Sequence, residues 1–136
     1  MGLRYVNRFT DAYATSPTAW ADRFVAPLVA VLAEGPFASR LQGAQQQIEL
    51  GLGNGMTAAL RHGCFQDVAA QRNYSYLLDI DVFSPSAETF DPANTLEIAE
   101  HLNRQAAELF RAALTQAYAE QLGFHSVQSS EEGQPR

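Results

Sequence analysis

The sequence predicts a single α+β domain: an antiparallel sheet in the element order β-α-α-β-β-β-α, packed on one face by a long C-terminal helix and short N-terminal helices. Three observations predict it. Residues 41–83 hold three alternating stretches divided by turn signals, the pattern of an antiparallel meander. A helical stripe of about seven turns follows. The alternation leaves one side of each strand polar, so helices are expected on the other side alone. Residues 1–124 form the expected domain, and 125–136 are expected to be a disordered polar tail.

Each element has its own local reason. Leu3 to Phe9 alternates Leu3, Tyr5, Asn7 and Phe9 against Arg4, Val6 and Arg8, a strand with a basic face. Thr10 to Thr15 is a loop. Ser16-Pro17 supplies an N-cap and a first helical position, and Trp20, Phe24 and Leu28 continue as an amphipathic stripe. Pro27 is expected to end or kink that helix near Phe24 to Ala26, because it lacks an N–H and crowds the preceding turn. A second short helix over Leu28 to Ala33 closes at Gly35-Pro36.

Leu41 to Leu52 alternates Ala44, Gln46, Ile48, Leu50 and Leu52 against Gln45, Gln47 and Glu49. Gly53-Asn54-Gly55 then turns the chain, since Asn-Gly accepts the positive φ that tight hairpins need. Met56 to Phe65 returns, Gln66 to Asn73 connects, and Tyr74 to Phe83 forms a strand that belongs in the middle of the sheet. Asn94 and Glu97 form a capping box for the last helix. Its stripe runs through Ala99, Leu102, Ala106, Leu109, Phe110, Ala113, Ala117 and Tyr118, and Gly123 stops it.

Composition narrows the function. The chain has 136 residues, 46% of them hydrophobic, which suits one core. A net charge of −6 opposes binding to nucleic acid or to anionic membranes. All nine basic residues are arginine, which reflects a GC-rich coding genome better than any demand for bidentate recognition. The single cysteine, Cys64, excludes an intrachain disulfide and fits a reducing cytoplasm. No apolar run is long enough for a membrane span, and the first residues lack a signal-peptide pattern.

Leu3-Arg4-Tyr5-Val6-Asn7-Arg8, Leu77-Leu78-Asp79-Ile80-Asp81-Val82-Phe83 and a terminal helix with Leu102, Phe110 and Thr115 resemble the C-terminal part of a known family. It is a sporadically distributed, uncharacterised prokaryotic family marked by "RYINRI" and "LLDIDVF" segments. The resemblance covers most of this chain and part of a typical family member, whose additional N-terminal region precedes the first motif. It implies a fold, a lineage and a setting among mobile, phage or defence-related genes. A natural short version, a misassigned start, or half of an assembly completed by another chain are the corresponding expectations. No chemistry comes with it.

Asp79 and Asp81 share one strand face and are candidates for a metal or acid/base pair with Glu49. Arg4 and Arg8 share one face of the first strand, and cross-strand pairing of these arginines with the two acids is favoured. Asn7 falls on the opposite face and is expected to fix neighbouring backbone. Arg4, Asn7, Arg8, Asp79 and Asp81 are thus the recognition candidates, with no catalytic residue, metal or cofactor assigned.

His62 and Cys64 share a face as a weak nucleophile candidate, without a third residue to orient them. His101 is expected to face solvent, and none of His62, His101 and His125 has metal-ligand spacing with another. Gly51 to Gly55 lacks the Lys-Ser/Thr of a phosphate loop. Tyr74, Tyr76, Phe83 and Phe90 are assigned to packing rather than base stacking. The favoured function is a non-catalytic protein-interaction module that pairs with itself or another protein. A small-molecule binder of helix-grip type and a metal-dependent hydrolase using Asp79 and Asp81 stand as alternatives.

Overall fold

The computed structural model describes residues 1–84 and 91–124. Four strands, β1 (Gly2–Phe9), β2 (Gly43–Gly53), β3 (Met56–Asp67) and β4 (Asn73–Phe83), form one antiparallel sheet in the order β1-β4-β3-β2. Helix α1 (Ala26–Ala33) lies between β1 and β2 in sequence, and α2 (Pro92–Ala113) and α3 (Gln116–Gln121) follow β4. The α+β class, the meander and the long final helix are as the sequence predicts. So is the central place of β4, which hydrogen-bonds to β1 on one side and β3 on the other. Phe90, His125 and the expected tail lie outside the described residues.

The helix side of the sheet forms the core. Ala58, Leu60 and Cys64 of β3 and Tyr76, Leu78, Ile80 and Val82 of β4 are buried there against Leu28, Val29, Leu32, Leu102 and Ala106 from the helices. An aromatic group ties the N-terminal segment to two strands of the sheet: Phe24 stacks on Tyr76 of β4 at 4.0 Å, and Phe9 of β1 meets Phe24 edge-on at 5.3 Å. The buried Trp20 donates its indole N–H to the Tyr74 carbonyl at 3.0 Å, so its polar end is satisfied.

The first helical region departs from expectation. Pro17–Trp20 is a single 3-10 turn, and α1 begins only at Ala26. Pro27 therefore opens a helix instead of ending one, because its missing N–H costs nothing in a first turn. Trp20, Phe24 and Leu28 all reach the core, but from the 3-10 turn, from an isolated bridge between Phe24 and Leu114, and from α1.

The final helix also differs. Asp91, not Asn94, caps α2, accepting from the Ala93 amide at 3.2 Å, with Pro92 in the first turn. The continuous stripe to Tyr118 breaks at Leu114. Tertiary pairing causes the break: Val25 N–H donates to the Ala113 carbonyl at 2.9 Å and Thr115 N–H to the Arg23 carbonyl at 3.0 Å. The Thr115 hydroxyl then caps α3 by accepting from the Tyr118 amide at 3.3 Å.

Turn chemistry sets the register of the meander. Gly53, Asn54 and Gly55 have φ of 85°, 53° and 76°, the left-handed values that favour these residues in a two-residue hairpin. The second connection is shorter than predicted. A 3-10 turn over Val68–Ala70 and two left-handed residues, Gln71 and Arg72, let β3 run to Asp67 and β4 start at Asn73.

Candidate interaction surface

Among the described residues, α1 and α2 pack on the side of the sheet that carries Leu60, Leu78 and Ile80, and the other side is the open one. Strand alternation and register lay out the open face in rows. Arg4, Asp81, Ala59 and Glu49 form one row across the four strands. Val6, Asp79, Arg61 and Gln47 form the next, and Arg8, Leu77, Gly63 and Gln45 a third.

Asp79 is the centre of this face. Its carboxylate accepts from Arg4 Nε at 3.0 Å and Arg4 Nη2 at 2.6 Å, and Arg61 Nη1 stands 3.6 Å away. The Asp79 side chain is 3% exposed, whereas Arg4 and Arg61 are 57% and 43% exposed, so two guanidiniums from flanking strands roof the acid. Hydrogen bonds from Arg4 hold the Asp79 carboxyl below the usual carboxylate range, against the opposing effect of burial. A bidentate arginine contact of this kind fixes orientation as well as charge.

Arg8 does not join Asp79 and Asp81. It reaches Asp67 at the end of β3, with Nε to Oδ2 at 2.7 Å. Asp67 also accepts from Ser75 Oγ at 2.9 Å and from the Ala69 amide at 3.0 Å, so it closes the β3–β4 connection and anchors β1 together. Burial opposes its ionisation, yet the bonds from Ser75 and Arg8 prevail and depress its pKa. Asp81 lies opposite Arg4 in register and adds to the field on that guanidinium without a hydrogen bond to it. Among the described residues the face therefore sets Arg4, Arg8 and Arg61 among the carboxylates of Glu49, Asp67, Asp79 and Asp81. Asn7 is on the helix side, as predicted, donating to the Leu78 carbonyl at 3.3 Å.

Arg61, Asp67 and Ser75 are absent from the sequence-derived candidates. The signal for Arg61 lies in the β3–β4 register, which places it directly beside Asp79. Gly63 is a further structural requirement: a Cβ there would stand 2.2 Å from the Ala44 carbonyl oxygen and 2.9 Å from the Gln45 Cα. The bare glycine lets β2 approach β3 at this point.

The Asp79 carboxylate is engaged by arginines, and no group of three or more His, Cys, Asp or Glu side chains converges among the described residues. Burial pushes the Cys64 thiol up to about 11, opposite to the shift a nucleophile needs. His62 faces the core, where its Nδ1 is 2.7 Å from the Tyr76 hydroxyl and its Nε2 is buried without a partner. Desolvation lowers its pKa.

The two edges of the sheet differ. β1 is held by Arg4 and Arg8 on the open side, and on the helix side the Tyr5 hydroxyl donates to Asn103 of α2. β2 carries Gln45, Gln47 and Glu49 on the open face, and on the helix side an exposed Gln46 beside half-buried Ala44, Ile48, Leu50 and Leu52. No helix of the described residues is long and apolar enough to cross a membrane. Comparisons with protein-family models, curated proteins and solved structures returned no match to this chain.

Proposed function

We propose that the chain is a non-catalytic protein-interaction module that pairs with a second copy of itself along the outer edge of β2. One observation carries this reading: β2 is an undefended edge. It is eleven residues long, has no proline, lysine or arginine, and holds a single acid, Glu49. Edge strands are ordinarily blunted by such residues, by brevity or by bulges. The irregularity in β2 lies at its hairpin end, between Gly51 and Gly53, and leaves the rest regular.

Two further features favour a second copy as the partner. A chain of net charge −6 repels its own kind, and β2 presents one charged side chain where two copies would meet. A two-fold axis across β2 sets the strand antiparallel to itself, a self-complementary contact that extends the sheet and covers the exposed flanks of Ile48, Leu50 and Leu52.

Native mass spectrometry and light scattering at rising concentration test the reading. The expected species is a dimer of the 14.9 kDa chain. Gln46→Lys places like charges across the axis and is expected to weaken the dimer about fivefold or more. Val6→Lys, on the exposed flank of β1, is expected to leave it unchanged. A monomer at sub-millimolar concentration, or a dimer sensitive to Val6→Lys alone, overturns the proposal.

A further inference from the structure

The opposite margin of the sheet holds a cavity that pairing through β2 does not use. It measures about 300 Å³ and lies between β1 and α2. Tyr5 and Asn7 form its floor, and Ala106, Ala107 and Phe110 form the helix wall. The space exists because α2 places two alanines here, with the larger Asn103 and Phe110 about one turn to either side. At one end the Tyr5 hydroxyl donates to Asn103 Oδ1 and bridges strand to helix. At the other, Phe124 meets Phe110 edge-on at 5.6 Å and is fixed by its amide donating to the Ala119 carbonyl at 2.8 Å. A cavity stopped at both ends takes a compact molecule and excludes an extended strand or a helix. Tyr5 and Phe124 remain 40% and 39% exposed, so two aromatic rings border the opening.

The polar atoms of the lining decide the class of ligand. With Asn103 Oδ1 holding the Tyr5 hydroxyl, the Asn103 amide NH2 remains as a donor. Asn7 donates to the Leu78 carbonyl at 3.3 Å and keeps its own carbonyl oxygen as an acceptor. Arg111 also lines the cavity, but it is already engaged and supplies no spare charge. A donor and an acceptor without an open charge suit a hydroxyl, which can accept from Asn103 or donate to Asn7. A carboxylate or an ammonium in the same place would shed water without meeting an uncommitted opposite charge. The volume is about twice that of a cavity that takes benzene, and stands at the small end of ligand pockets.

We propose that this cavity is a binding site for a small neutral alcohol, a single aromatic ring or a short alkyl chain bearing one hydroxyl. The apolar body lies against Ala106, Ala107, Phe110 and Phe124, and the hydroxyl meets the side-chain amides of Asn103 and Asn7. For a ligand of this size the dissociation constant is expected between about 0.1 and 1 mM.

The test is a proton–nitrogen NMR titration of the full chain with 2-phenylethanol and hexanol, beside phenylacetate, phenethylamine and ethylbenzene. The alcohols are expected to shift the amides of Asn103, Ala107, Phe110 and Phe124, and both charged analogues to bind about tenfold more weakly. Asn103→Leu keeps the size of the side chain and removes its donor. It is expected to weaken the alcohols about fivefold and leave ethylbenzene unchanged. Ala107→Leu, on an exposed helix position, is expected to fill the cavity and abolish binding of alcohol and hydrocarbon alike without lowering Tm. Shifts confined to other residues, either charged analogue bound as tightly as the alcohol, an equal loss of alcohol and ethylbenzene in Asn103→Leu, or full binding in Ala107→Leu overturns the proposal.

Discussion

The sheet ends in two edges that the chain treats in opposite ways. β1 is clamped from both sides: Arg4 ties it to Asp79 of the adjacent β4, Arg8 to Asp67 at the end of β3, and Tyr5 to α2. β2 has no comparable restraint. Among the described residues, its cross-strand side-chain bond on the open face runs from Arg61 Nε to Gln47 at 3.1 Å, and backbone pairing to β3 and the half-buried aliphatic row keep it in place. The difference teaches where specificity resides. Charged side chains hold β1 in one register, whereas β2 is the edge through which pairing with a second copy is proposed.

The largest expected effect comes from disturbing how β2 meets β3. Gly63→Ala puts a methyl group 2.2 Å from the Ala44 carbonyl, a backbone atom that cannot step aside without moving the strand. Overpacking of that kind is expected to cost about 3 kcal/mol. Urea denaturation reads the loss, and the edge should lose its pairing capacity with it. A variant as stable as the parent would show that β2 relaxes freely and that its edge is not a fixed template.

Breaking the clamp on β1 should cost less. Asp79→Asn keeps the shape of the side chain but removes the charge that Arg4 and Arg61 enclose. The acid is buried and its partners are half-exposed, so water compensates in part, and about 2 kcal/mol is expected. Amide exchange in β1 should rise more than in β2. Equal rises along both edges would mean that the ion pair stabilises the sheet generally and does not single out β1.

These two sites were unequally legible in the sequence. The face shared by Asp79 and Asp81 follows from strand alternation alone, and its orientation toward Arg4 from the matched charges of the two strands. The choice of Asp79 over Asp81 does not, because a long arginine side chain can reach a diagonal neighbour as readily as the residue directly opposite. Arg61 and Asp67 were hidden for a different reason. The β3–β4 connection is shortened by Gln71 and Arg72 in left-handed conformations that residues of their type seldom adopt, and a one-residue change in such a connection exchanges the two faces. The helix break at Thr115 was equally invisible, since residues 23–25 impose it from far away in sequence. Strand alternation survived these surprises because it records burial, which the whole sheet shares.

Acid separates the two halves of the comparison by the smallest expected effect. His62, on the strand that carries β2, is buried with one ring nitrogen orphaned, and desolvation sets its pKa below the ordinary 6.5. The unfolded chain takes up a proton near pH 6.5 and the folded chain does not. The contribution is therefore fully present above that pH and is lost as pH falls below it, by at most about 1.4 kcal/mol per unit. Asp79 and Asp67, which hold β1, are depressed below 3.8, so their contribution persists above that value and is lost only in stronger acid. Lowering the pH from 7.5 to 5.5 is expected to cost about 1 kcal/mol in urea denaturation, and His62→Gln, which keeps a partner for the Tyr76 hydroxyl without titrating, is expected to flatten that slope. A parent protein with no loss across this interval, or a His62→Gln protein with the same loss, would place the proton elsewhere. The β3 histidine would then have no part in setting the two edges apart.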